Sequence, residues 1–282
     1  MRIRKLEYQD FATLRMPLES GRQSPSSLGG ALILSLFCQP LIFYCIYYVA
    51  ATYSNYPGIE QIKRIHLPIT ALLCLLSLIF AIPPVYKKWE NLQYLVLILV
   101  SQNVFGLCVY LGGLFEVGNG EGTTSSSLLT FTWITLLIGA ALFLFTVIKF
   151  RILLQRGHYR TGGKKERMRM KFETSSYIPT AIIGSLGLFY IIQYSIRYTG
   201  IADAEQLMII VLCFAVFYTI LFVLPEQIVI LYCKFRFKAF TFDRNGYLHS
   251  ESDLPEDQKE TLPPQIKKQT RGSLYNKKIK SR

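Results

Sequence analysis

The sequence predicts an all-α fold, a polytopic membrane helix bundle with about six transmembrane helices. Three observations carry this prediction. Of the 282 residues, 51% are hydrophobic, and they fall in long runs rather than at amphipathic spacing. Six of those runs are near the ~20 residues that a helix needs to cross the hydrocarbon core. The segments joining the runs alternate in basic content, the pattern that sets membrane topology. Barrel strands of about 10 residues with polar–apolar alternation do not fit runs of this length. The runs take up most of the chain, so no large soluble domain remains.

Residues 1–27 are polar and form a cytoplasmic N-terminal segment. Ile3, Leu6, Phe11 and Leu14 fall loosely on one helical face, interrupted by Glu7 and Asp10, which suggests a helix lying on the membrane surface. Gln23-Ser24-Pro25-Ser26-Ser27 then breaks the chain. The first apolar run, 28–53, is long for a cleaved signal and reads as a retained anchor. The remaining runs are 67–85, 92–115, 128–150, 177–196 and 207–233. Together they make a transmembrane domain over 28–241, with a basic cytoplasmic loop at 151–175 split by Gly162-Gly163. The connector at 116–127 is rich in Gly, Ser and Thr. No strand precedes it and no basic residue follows, so it is a flexible link and not a phosphate-binding loop.

After the sixth run, Lys234-Phe235-Arg236-Phe237-Lys238 alternates cations with rings. If extended, it would lie on the membrane with rings toward lipid and charges toward headgroups. Residues 242–282 are polar, with Pro255, Pro263, Pro264 and scattered charge, and are expected to be a disordered basic tail.

Orientation follows from charge. Arg2, Arg4, Lys5, Arg15 and Arg22 precede the first run, and Lys87-Lys88 follow the second. The fourth connector holds Lys149, Arg151, Arg156, Arg160, Lys164, Lys165, Arg167, Arg169 and Lys171, and twelve more basic residues lie between Lys234 and Arg282. The first connector has Lys63 and Arg64 with Glu60, the third none, and the fifth Arg197 with Asp203 and Glu205. Both termini therefore go to the cytoplasm of a cell membrane. The net charge of +13 then gathers on one face. It suits anionic lipid headgroups, each nearby cation contributing about 1 kcal/mol. No nucleic-acid partner is expected, because no recognition motif accompanies the charge.

Cys38, Cys45, Cys74, Cys108, Cys213 and Cys233 all lie in the apolar runs without a CxxC pair. They are expected to be small packing residues, not disulfide or zinc ligands. His66, His158 and His249 lie in three separate segments, His66 on the external side and the others on the cytoplasmic side on this reading. No HExxH, GxSxG or nucleotide-binding motif occurs. No cofactor or metal is expected, and an enzyme is the weakest reading.

Polar groups within hydrocarbon are the candidate substrate-binding residues. Gln39, Gln102 and Asn103 fall roughly 15–17 Å along their helices, near the bilayer midplane. They are expected to meet across the first and third spans, either joining helices or lining a path. Gln39 precedes Pro40, whose missing N–H frees a helix carbonyl. Glu226 is the acid within an apolar run, and Pro225 before it is expected to bend or end the last span near the inner surface. Ser77 and Ala81, Ala181 and Ser185, and Gly139-Ala140-Ala141 are positions where helices can approach closely.

Taken together, the residues suggest a non-enzymatic membrane protein acting through partners: an accessory, scaffold or immunity-like subunit. The partner is a second membrane protein or another copy of this chain. The alternative is a small transporter or channel with a midplane polar site.

Overall fold

A computed structural model describes residues 6–120, 122–161, 194, 202–243 and 245–249. The fifth apolar run, the basic loop beyond 161 and the tail beyond 249 lie outside the described residues, except for Tyr194. The described chain is an all-α bundle. It has five helices long and apolar enough to cross a membrane: α1 (Pro25–Tyr53), α2 (Ile59–Ala81), α3 (Glu90–Gly118), α4 (Ser125–Gln155) and α5 (Ala202–Arg236).

Local chemistry sets the helix starts. The Ser24 hydroxyl accepts from the Ser27 N–H, with Pro25 at the first helical position, so the Gln23–Ser27 breaker is an N-cap. Thr124 and Ser127 cap α4 reciprocally. Gly58, at φ 74°, makes the left-handed turn into α2, a conformation that disfavours any residue with a Cβ. The α2 helix begins at Ile59 and ends at Ala81. It therefore starts eight residues before the apolar run, and His66 lies within it rather than in a loop. A second short helix, Pro83–Lys88, turns the chain into α3.

The central helix is α3, which packs on α1, α2 and α5, while α5 also packs along α4. Of α3's most apolar stretch 56% is buried, more than in any of the other four helices among the described residues, which identifies α3 as the axis. Two glycines permit the approach of α5. A Cβ on Gly113 would meet Cys213 at 3.0 Å, and one on Gly139 would meet Leu221 at 3.0 Å.

Two expectations about α5 are corrected. The helix runs unbroken from Ala202 through Pro225 to Arg236, because its packing against α3 and α4 holds the axis across the proline. Lys234, Phe235 and Arg236 are consequently helical rather than part of an extended strip, and Phe237 leaves the helix in extended backbone before the 3-10 turn Lys238–Phe240. The two rings do not share one face: Phe235 is 60% exposed, whereas Phe237 is 6% exposed.

The N-terminal segment packs against the bundle. A 3-10 helix (Tyr8–Arg15) and a one-turn helix (Met16–Glu19) bury Tyr8, Phe11, Leu14 and Leu18. These side chains share a core with Tyr94, Phe150, Tyr159, Phe237 and Phe240. Enough apolar area is gained against protein to fix the segment there, and Asp10 is neutralised by Arg160 at 2.8 Å. Of the described residues beyond the last helix, Phe242 and Leu248 form an antiparallel bridge.

Candidate functional site

Midway along the bundle, the polar stripe of α2 organises two clusters. His66, Thr70, Leu73 and Ser77 are its buried residues, and their spacing puts three polar groups on one helical face. His66 is 2% exposed. Its Nδ1 lies 2.9 Å from the Tyr47 hydroxyl on α1, and its Nε2 lies 2.9 Å from Asn103 Oδ1 on α3. Asn103 Nδ2 donates to Thr70 Oγ1 at 3.3 Å. With the Asn103 amide assigned this way, one set of protons satisfies all three contacts. A neutral His66 donates from Nε2 to Asn103 and accepts at Nδ1 from Tyr47.

Both of these partners lie in π-helical turns, Tyr47 in Cys45–Val49 and Asn103 in Gln102–Cys108. Such turns are rare and are often found at functional sites. Cys108 Sγ lies 3.8 Å from His66 Nε2, the nitrogen that already donates to Asn103. A base must have a free lone pair facing the thiol to activate it, so this geometry is not an activated nucleophile. Cys108 and His66 are two donors, and among the described residues no group of three His, Cys, Asp or Glu gathers to hold a metal.

The second cluster joins α1 to α2. Gln39 is fully buried. Its Nε2 donates to Ser35 Oγ and Ser77 Oγ, each at 3.4 Å, and the two hydroxyls lie 3.2 Å apart. Gln39 Oε1 is buried and has no hydrogen-bond partner among the described residues, and the same is true of Gln102 Nε2.

The three amides expected at one level do not meet. Gln39 and Asn103 each turn to the polar stripe of α2, and Gln102 folds along its own helix toward Gly106. Glu226 is half-buried, within electrostatic range of Tyr94 on α3. It sits about 15 Å before α5 ends at Arg236.

Sequence reasoning missed the role of His66 because the second span was taken to begin at Leu67, and passed over Tyr47 and Thr70, which lie inside the apolar runs, because only amides and acids were weighed there. The signal was available. His66, Thr70 and Ser77 recur at helical spacing, and that periodicity continues upstream of the apolar run.

A third polar group closes one end of the bundle. Lys234, 3% exposed, is 3.5 Å from Glu90 and donates to the Phe240 carbonyl at 3.1 Å. Glu90 also accepts from the Phe242 N–H at 3.0 Å. Arg15 donates to the His249 carbonyl at 2.7 Å, and the Thr13 N–H donates to the Tyr159 carbonyl at 2.9 Å. The N-terminal segment, the start of α3, the turn after α4 and the chain after α5 thus meet at one end. Near it, a cavity of about 690 Å³ opens between α4 and α5, lined mainly by apolar side chains with Arg151 and Arg236.

The chain matches no known family model, no curated protein and no solved structure. The functional reading therefore rests on these residues alone.

Proposed function

We propose that this membrane protein is a non-enzymatic accessory or scaffold subunit that acts through partners at its basic end. The observation that carries this reading is the engagement of the mid-bundle polar groups with one another. Tyr47, His66, Asn103 and Thr70 bond in a closed chain across α1, α2 and α3. Interhelical bonds of this kind contribute roughly 0.6–2 kcal/mol each in membranes. They hold helices together and do not present themselves to a substrate.

We place both termini, the Lys87-Lys88 turn and the loop after α4 in the cytoplasm, on the positive-inside rule. The meeting of those segments at one end of the bundle supports a common side. Cations there attract anionic headgroups and give a partner an electrostatic handle. The test is affinity purification of the full chain from its native host in mild detergent, with co-purifying proteins quantified by mass spectrometry. A near-stoichiometric partner, lost when Lys164, Lys165 and Arg167 are neutralised, supports the reading. Recovery of the chain alone overturns it, and recovery only with itself restricts the partner to a second copy.

A small transporter is the second reading. It is favoured by Gln39 Oε1 and Gln102 Nε2, buried without hydrogen-bond partners among the described residues. On that reading Gln102→Leu abolishes flux into reconstituted vesicles while the fold persists. On the partner reading no such flux exists to lose.

A further inference from the structure

The cavity between α4 and α5 has the form of a lipid site. Two helical stripes wall it, Phe143, Val147 and Phe150 from α4, and Ile228, Val229 and Tyr232 from α5. Arg151 and Arg236 lie at the end of the groove where both helices approach their termini. Arg236 is oriented by its own neighbours. It donates to the Tyr232 hydroxyl and stacks over the Tyr232 and Phe237 rings. Among the described residues, neither arginine has a carboxylate partner.

Length decides what fits. From Phe143 to Arg151 the helix advances about 12 Å, and from Pro225 to Arg236 about 16 Å. Half of the ~30 Å hydrocarbon core is about 15 Å. The apolar walls therefore match the depth of one leaflet, with the two arginines at one end. Arginine forks match phosphate oxygens in geometry and charge.

We propose that this groove holds an acyl chain of an anionic phospholipid from the surrounding membrane, its headgroup phosphate bound by Arg151 and Arg236. The site goes beyond the partner reading, since it requires only that α4 and α5 cross the bilayer. It is a specific seat for one lipid, distinct from diffuse attraction of headgroups to the basic end.

The test uses the full chain purified in detergent and equilibrated with mixtures of dioleoylphosphatidylglycerol and dioleoylphosphatidylcholine. Lipids that stay bound are counted by native mass spectrometry. The wild type retains one phosphatidylglycerol in preference to phosphatidylcholine. The variant Arg151→Gln/Arg236→Gln reduces that preference by about tenfold or more, the loss expected for charge-assisted hydrogen bonds. Lys87→Gln/Lys88→Gln removes equal charge at the same end but outside the groove, and leaves the preference unchanged. Val229→Trp fills the groove and lowers retention of both lipids.

Absence of any preference in the wild type overturns the proposal. An equal loss in the lysine variant overturns it in favour of diffuse surface charge. Undiminished retention in Val229→Trp, with an unchanged size-exclusion profile, overturns the proposal, because the lipid then sits elsewhere. The arginine variant changes exposed side chains, so the test survives if Val229→Trp fails to fold.

Discussion

Asn103 and Gln102 are neighbours in sequence with opposite structural fates. Asn103 is 4% exposed and bonds both His66 and Thr70. Gln102 has a buried Nε2 without a hydrogen-bond partner among the described residues. Replacing Asn103 with Leu strands the His66 N–H in an apolar bundle, and a buried donor left unpaired costs about 1–3 kcal/mol. Asn103→Leu should therefore lower the thermal midpoint in detergent clearly. Gln102→Leu removes a desolvated amide that gains nothing from hydrogen bonding at that nitrogen, and should leave the midpoint unchanged or raise it. The reverse order would show that the His66 chain is not what joins the three helices. From sequence both amides looked alike, because depth along a helix is readable but the direction of a side chain around it depends on the neighbours. The π-helical turn at Gln102–Cys108 shifts that direction further, and no residue type announces it.

At the scale of elements, α3 and the loop entering α2 approach closely at Gly118. A Cβ on Gly118 would collide with Ser54 Oγ and press on the Tyr56 N–H at 3.2 Å. The contact is fixed on both sides. Asn55 N–H donates to the Gly118 carbonyl at 3.0 Å, and the Ser54 hydroxyl donates to the Phe115 carbonyl at 2.8 Å. Gly118→Ala must displace that loop and should destabilise by about 1–3 kcal/mol, the range for overpacking. Gly30 on α1 is the control, with open space around its would-be Cβ. Gly30→Ala should be neutral or stabilising by up to about 1 kcal/mol, from helix propensity. Matched thermal melts of the two variants check the pair, and equal effects would refute a tight α3–loop contact. The close approach expected at Gly139 is met by Leu221 and Phe217 of α5. The pair Ala181 and Ser185 lies outside the described residues.

The whole molecule is closed at its basic end by a buried ion pair. Lys234 and Glu90 are 1% and 13% exposed in their side chains and 3.5 Å apart. The Lys234 ammonium also faces the rings of Tyr94 and Phe242 at 5.8 and 5.4 Å. Through Glu90 the start of α3 is tied to the end of α5 and to the Phe242–Leu248 turn. Glu90→Gln leaves a buried cation uncompensated and should destabilise by about 3–5 kcal/mol. Glu90→Gln/Lys234→Met removes both charges and should recover much of that loss, since an apolar replacement of a buried pair is often neutral. Hydrogen exchange at residues 242–248 provides the readout. Protection should collapse in the single variant and return in the double. A single variant with unaltered protection would show that the ion pair does not hold the turn.

The sequence by itself determined the class of the molecule, an α-helical membrane bundle, and which stretches are apolar enough to span. Run length and composition suffice for that, because a bilayer demands apolar surface and internally paired backbone whatever the packing. Tertiary structure decided the start of α2 at Ile59, the burial of Tyr8, Phe11, Leu14 and Leu18 beneath α5, and the continuation of α5 through Pro225. It also decided that Gln39 and Asn103 bond to α2 and not to each other. These features depend on which helix faces which. In lipid, apolar side chains on every face satisfy the environment equally, so hydropathy carries little record of the partner face. Only the contacts between helices select it.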